Sequence, residues 1–437
     1  MRTPIALLLG LTLCLSALAD EAPEDWQAKG QVTYVRQRSE NFRSPYSGAH
    51  SLDASGEYGY TATATLFAGL RPWRGGEIYL NLEAGQGNPL SGLNGLGGFS
   101  NGEATRVSGN QLKAYRQRLF LRQTWNLGGD SEHVDSAINQ LAGNIEHKRF
   151  VLTVGNFSAL DIFDNNAYAK DPRSQFLNWS NMASTAYDYA ADARGFGWGF
   201  AGEWYQDDWV FRFGRMSGPQ EPNGEKVDNQ ILRHYGDQIE LEHSHQIAQQ
   251  PGKIRLLAWR NRAVLASFAD ASAWLDSHPG SDPEAISQVR NSAKIKYGFG
   301  LNIEQAINDQ LGFFLRAMHA DGRTETYAFT EADASLASGL ALKGAAWGRA
   351  DDTFGLAWMH NSLSRQRRDY LAKGGISFFI GDGALNYRPE SIIETYYSWQ
   401  VLPKLWLTGD FQHISNPAYN ADRGPAKISS LRLHTEF

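Results

Sequence analysis

The chain has 437 residues, 41 Lys+Arg against 47 Asp+Glu, a net charge of −6 and a single cysteine. One cysteine excludes a disulfide framework and a thiolate metal site, and a mildly acidic balance without a basic run excludes a nucleic-acid surface. No segment beyond the N-terminus is continuously apolar for the ~20 residues a membrane helix needs. The low mean hydropathy leaves a membrane protein open only if strands do the crossing, because a strand shows lipid one face.

The N-terminus reads as a secretory signal peptide over residues 1–19. Arg2 supplies the positive n-region, Ile5 to Leu15 the apolar stretch, and Ala17-Leu18-Ala19 the small-x-small cleavage site. Cys14 lies inside this leader, so the exported chain, 20–437, carries no thiol. Gly30 to Gln37 reads as a first strand and Asn41 to Gly56 as a polar loop. Tyr58 to Leu70 is the clearest strand. Tyr58, Tyr60, Ala62, Ala64, Leu66, Ala68 and Leu70 share one face, a period of two that no amphipathic helix gives. Arg71 to Gly75 turns the chain into a second such run, Ile78, Leu80, Leu82 and Ala84 against Glu77, Tyr79, Asn81 and Glu83.

A Gly- and Asn-rich loop spans Gln86 to Asn110. In the strand Gln111 to Leu127, alternation puts Tyr115, Leu119, Leu121, Trp125 and Leu127 on one face and Arg116, Arg118 and Arg122 on the other. Arginines facing a packed core would be costly, and facing a watery lumen they are cheap. Gly128 to Lys148 reads as a polar connection, and Phe150, Leu152 and Val154 mark the next strand. Phe196, Trp198, Phe200 and Trp204 then share a face, and Gln206-Asp207-Asp208 closes a hairpin into Trp209, Phe211 and Phe213. Further strands are expected at Tyr235–Ile247, Lys253–Asn261, Lys294–Gln305, Leu311–His319, Thr324 to about Ala341, Thr353–Asn361, Ser391–Val401 and Leu405–Ile414. Val264 to Leu275 and Ser364 to Ala372 read as loop helices. The last twelve residues put Leu431, Leu433 and Phe437 on one face and Arg432, His434 and Glu436 on the other, as a closing barrel strand would.

Connections alternate between short and long, and Trp73, Trp204, Trp209, Trp399 and Trp406 lie beside the short ones, where an aromatic girdle would sit. The fold class is therefore all-β, a transmembrane antiparallel barrel of about sixteen strands, an even number with both termini on the short-turn rim. Leu66, Leu80, Leu121, Phe211, Leu407 and Leu433 are expected to face lipid.

Motifs for catalysis are weak. Gly98-Phe99-Ser100-Asn101-Gly102 matches G-x-S-x-G without the strand–turn–helix context a nucleophile needs. His243 and His245 share a strand face without acidic partners and read as interface residues, and Asp161, Asp164 and Asp171 do not follow a calcium-loop spacing. The informative stretch is Ser158 to Arg194. It mixes carboxylates (Asp161, Asp164, Asp171, Asp188, Asp192), cations (Lys170, Arg173, Arg194) and aromatics (Phe163, Tyr168, Phe176, Trp179, Tyr187, Tyr189). Sugar sites use this mixture, and a loop this long between strands has a function or packing of its own.

The runs DIFDNNAYAKDPRSQFLNW and YDYAADARGFGWG resemble the signature region of the carbohydrate-selective porin family, the OprB-type porins. GDGALNYRPE near Gly381 and NPAYNADRGP at Asn416 to Pro425 are similar to it as well. The resemblance implies a sixteen-stranded outer-membrane barrel that passes monosaccharides such as glucose by diffusion through a charged and aromatic eyelet, with no enzyme site and no cofactor. The residues expected to line that eyelet are Arg116, Arg118, Arg122, Glu83 and Asn81 on the wall, and Asp161, Asp164, Arg173 and Trp179 on an inward loop, 158–194. Expected partners are the permeating sugar, outer-membrane lipid and lipopolysaccharide, and the barrel assembly machinery of a Gram-negative cell, with the chain a monomer or homotrimer. Alternatives are a porin for acidic sugars, an exporter of anionic polysaccharide, a barrel enzyme, or a structural or adhesive barrel.

Overall fold

Alternating apolar and polar residues form strands whose backbone groups find partners only in neighbouring strands, and here every strand has two neighbours. The computed structural model describes residues 23–437 apart from 108, 281–284 and 329–330. The expected signal peptide lies outside the described residues. The first eight strands are β1 (Trp26–Ser39), β2 (Glu57–Trp73), β3 (Gly76–Asn88), β4 (Lys113–Val134), β5 (Gly143–Phe157), β6 (Gly197–Gln206), β7 (Trp209–Met216) and β8 (Tyr235–Ile247). The second eight are β9 (Gln250–Val264), β10 (Ala293–Ala306), β11 (Leu311–Ala320), β12 (Ala334–Gly344), β13 (Arg349–Ser362), β14 (Glu390–Leu402), β15 (Leu405–Ser415) and β16 (Ala426–Glu436). Each pairs antiparallel with its neighbours in sequence, and β1 pairs with β16, so the sixteen strands close into one barrel.

The faces follow the pleat. Leu66, Leu82, Leu121, Phe211, Ile239, Leu256, Phe299, Leu356, Leu431 and Leu433 are all exposed on the outside. Their partners on the inner face are buried and polar, among them Thr61, Thr63 and Thr65 on β2, Asn81 and Glu83 on β3, and Glu240 and Glu242 on β8. An apolar outside over a polar inside is the reverse of a soluble sheet and matches a wall between lipid and water. No helix among the described residues is long and apolar enough to cross a membrane.

Three expected assignments change. The strand expected from Thr324 begins only at Ala334, and the described residues before it, 321–328 and 331–333, are loop. Trp406 points inward and stacks on His434 at 5.8 Å between ring centroids, unlike Trp73, Trp204, Trp209 and Trp399, which are exposed. The connection 128–148 is largely paired: β4 and β5 run on together to Val134 and Gly143. Both loop helices form, at Phe268–Ser277 and Arg365–Ala372. His243 packs on Trp209 at 4.3 Å on the outer rim.

The seam is closed at its lower end by the last residue. Gly30 N–H donates to the Phe437 carbonyl at 2.7 Å, and Phe437 N–H donates back to Gly30 at 3.0 Å. The Phe437 ring lies where a Cβ on Gly30 would stand, 2.3 Å away, so any larger residue here would have to displace the ring. Deleting Phe437 should lower the yield of folded barrel while leaving conductance per channel unchanged, read by heat-modifiable gel mobility and single-channel recording. Leu66→Arg, in the middle of β2, should destabilise the barrel by about 2–4 kcal/mol in a reversible lipid-vesicle unfolding assay.

Candidate functional site

The inner face of β3 and β4 carries the first part of the site. Glu83 on β3 accepts hydrogen bonds from Thr65 at 2.7 Å, Gln117 at 2.6 Å and Tyr115. It also holds Arg173, which comes from the loop 158–196 between β5 and β6, at 2.6 Å. Arg173 bridges onward to Glu103 in the loop 89–112, at 3.0 Å, and Glu103 accepts from Thr63 of β2. Burial alone would lower the Arg173 pKa, but Glu103 and Glu83 outweigh it and raise it, so the guanidinium stays charged.

Beside this cluster Arg118 of β4 grips Asp161 with two parallel hydrogen bonds, Nε to Oδ2 at 2.8 Å and Nη2 to Oδ1 at 2.7 Å. Such a fork fixes both groups in direction as well as distance. Asp161 also caps its own turn, accepting from the Ser158 N–H. Burial would raise its pKa, but the Arg118 guanidinium and these hydrogen bonds prevail and hold it below the ordinary carboxylate value. The Phe196 ring is approached by two guanidinium groups, Arg106 at 4.6 Å and Arg118 at 4.9 Å.

The loop 158–196 reaches across the inside of the barrel, because side chains from the inner faces of distant strands hold it. Leu177 and Asn178 N–H groups donate to Glu394 of β14. Arg432 of β16 donates to the carbonyls of Pro172 and Gln175. Asp164 binds Arg316 of β11 and Asn302 of β10, and Asp188 pairs with Lys296 of β10 at 2.9 Å. Below the loop lies a cavity of about 620 Å³. Arg106, Arg118, Asp161, Lys170 and Arg173 border it, with Arg122 and Arg149 further down the wall.

Of the residues singled out in the sequence, Arg118, Arg122, Asp161 and Arg173 meet at this cavity. Glu83 and Asn81 face inward but are buried, Glu83 beneath Arg173. Asp164 is not at the cavity wall either: it is consumed in fastening the loop, to Ser184 N–H, Asn302 and Arg316. Trp179 is 2% exposed and packs between Phe99 and Tyr189, inside the apolar heart of the loop. Arg116 corrects the expected arginine row. Asn81 pairs with Arg118 and Leu82 with Arg116, so Gln117 is an extra residue on β4. This β-bulge shifts the alternation by one. Arg116 therefore stands outside over the Trp198 ring, at 5.1 Å, and Tyr115, expected outside, turns in to Glu83. Phe196, expected on the outer face with Trp198, is buried inside for a related reason: it precedes the first residue of β6.

Sequence reasoning missed Glu103, Arg106, Tyr115 and Gln117. Glu103 and Arg106 sit in the stretch read as a long Gly- and Asn-rich loop, where neither has a periodic neighbour to mark it. The Gly-x-Ser-x-Gly serine, Ser100, is buried and donates to Gln37, a structural bond.

The family model for the carbohydrate-selective porins, OprB family, matches residues 49–437. No curated protein matches the chain. Among solved structures, the high-pH structure of Pseudomonas putida OprB superposes with a TM-score of 0.70 at 16% identity, covering 94% of each chain. The low-pH structure of the same protein gives 0.50 at 13%, covering 94% of this chain and 93% of that one. These likenesses bear on the fold, and the family match extends over most of the sequence. The chain belongs to the carbohydrate-selective porins of the OprB family.

Proposed function

We propose that this porin passes small uncharged monosaccharides, glucose among them, down their gradient through the opening bordered by Arg106, Arg118, Asp161, Lys170 and Arg173. One observation carries the reading. At the opening two guanidinium groups are each held against carboxylates, Arg118 by Asp161 and Arg173 by Glu83 and Glu103, so both stand fixed in direction. Fixed donors and acceptors of this kind replace the hydration of a sugar's hydroxyls. Arg118 and Arg173 are locked by bidentate or multiple bonds, so they need little ordering when a sugar arrives. The protein acts as a passive channel.

The reading places the barrel in the outer membrane, reached by export through the periplasm. Its outer face would meet phosphorylated lipid at the long-loop end. Arg36 and Arg38 lie exposed over Tyr58 there, and Arg260 lies over Tyr235. The short-turn end carries tryptophans instead. The terminal Phe437 strand end is the element offered to the assembly machinery.

Liposome swelling should run fast with glucose and slower with a disaccharide. Equal rates for both would sink the reading. In a salt gradient, Arg118→Ala should move the reversal potential toward cation preference and weaken glucose block, and Asp161→Asn should move it the other way. Asp161 has a depressed pKa. Its pairing with Arg118 is therefore complete above the ordinary carboxylate pKa and is lost only as pH falls through the lowered value. The reversal potential should accordingly stay flat from about pH 8 to about pH 5.

A further inference from the structure

The short-turn rim holds one connection unlike the rest. Residues 74–75, 207–208, 248–249, 307–310, 345–348 and 403–404 are tight turns, whereas 135–142 follows an extension of β4 and β5 beyond the neighbouring strands. The extension bends. Its pairing shifts at Asn126/Gly128 and again at Gly128/Ser131, and Gly128 and Gly129 take φ of 103° and 89°, a left-handed pair that glycine alone adopts freely.

The bend carries the tip back under the barrel, where inward-facing side chains hold it. Arg122 of β4 donates to the Asn139 carbonyl at 2.9 Å, and Lys29 of β1 to the Ser136 carbonyl at 3.0 Å. The Leu141 N–H donates to the Tyr79 hydroxyl at 3.2 Å. Arg71 of β2 donates to the carbonyls of Leu141 and Ala142. Glu24 closes a two-way bond with Ala142, through its backbone N–H at 3.0 Å and its carboxylate at 2.9 Å. Leu141 is buried in one apolar cluster with Tyr79 and Phe120. A solvent-facing hairpin tip would need none of these bonds.

Ile138 and Asn139 at the tip border the same cavity as Arg118, Asp161 and Arg173, with Arg149 of β5 and Arg212 of β7 also lining it. Ile138 is 40% exposed, an apolar side chain turned toward a polar chamber.

We propose that the tip 135–142 is a second selectivity station on the exit side of the opening, a floor that a monosaccharide must pass after the charged ring. Ile138 offers the apolar C–H face of a sugar a surface to pack on. The guanidinium groups of Arg122 and Arg149 border the same space and present N–H donors to its hydroxyls. The two stations together bound the cavity, so the size limit for passage is set twice. This inference rests on the sugar-channel reading, and its test is separate from that of Arg118.

The only cysteine of the chain is Cys14, in the leader, so a single introduced thiol can be addressed alone. Ile138→Cys is folded first, then modified with a bulky methanethiosulfonate in a planar bilayer, which removes misfolding as an explanation. Modification should cut single-channel current and glucose-driven swelling by roughly two-fold or more, as expected when a constriction narrows. It should also proceed faster from the short-turn side. Asp207→Cys, on a neighbouring turn of the same rim, serves as the control and should be modified without effect. Ile138→Gly should raise disaccharide passage relative to glucose. Complete modification of Ile138→Cys with unchanged current and swelling would overturn the second station while leaving the Arg118 ring standing. Loss of the Arg118→Ala effect with a blocked Ile138→Cys channel would do the reverse.

Discussion

A backbone N–H or C=O facing hydrocarbon has no water to bond, and each one left unpaired costs several kcal/mol. That constraint underlies every other feature of this molecule. It forces the first and last strands together, down to the two-way bond between Gly30 and Phe437. It restricts irregular backbone to two places, the rims and the interior. The long loops thus have somewhere to go only because the ring is closed around water and polar side chains.

Closure makes charge inside the barrel affordable. The inner wall carries carboxylates and guanidinium groups on adjacent strands, and these bind one another or the loops. Arg212 touches Glu203, Glu240 and Glu242, and Arg255 touches Glu242 and Glu304. Pairs buried this deeply contribute little net stability, because desolvation offsets attraction. What they supply is direction. Arg432, Glu394, Arg316 and Lys296 each fasten a different part of the loop 158–196, so its position is determined from several sides of the barrel at once. Loop carboxylates and wall guanidinium groups are interlocked, and the opening inherits its shape from that network.

Similarity to Pseudomonas putida OprB at 16% identity and a TM-score of 0.70 fits this division of labour. The lipid-facing side needs only to be apolar and in step, which many sequences satisfy, so identity can fall far while the ring persists.

The sequence by itself determined the periodic part: alternation along β2, β3 and β16, the short turns, the outward leucines and phenylalanines, and the long charged loop with its family signature. These depend on residues close in the chain, and a period of two is visible without knowing any partner. Three things belonged to the tertiary structure. The bulge at Gln117 exchanges the faces of Tyr115 and Arg116, because register is a property of two strands and not of one. Asp164 and Trp179 look like sugar ligands in the loop sequence, yet contacts across the barrel turn one into a fastener and the other into core. The polar stretch 128–148 gives no local sign of folding inward, since the groups that draw it in, Lys29, Arg71 and Tyr79, lie on three other strands. Side-chain partners distant in sequence decide which charges meet the lumen, and only closure of the ring brings them within reach.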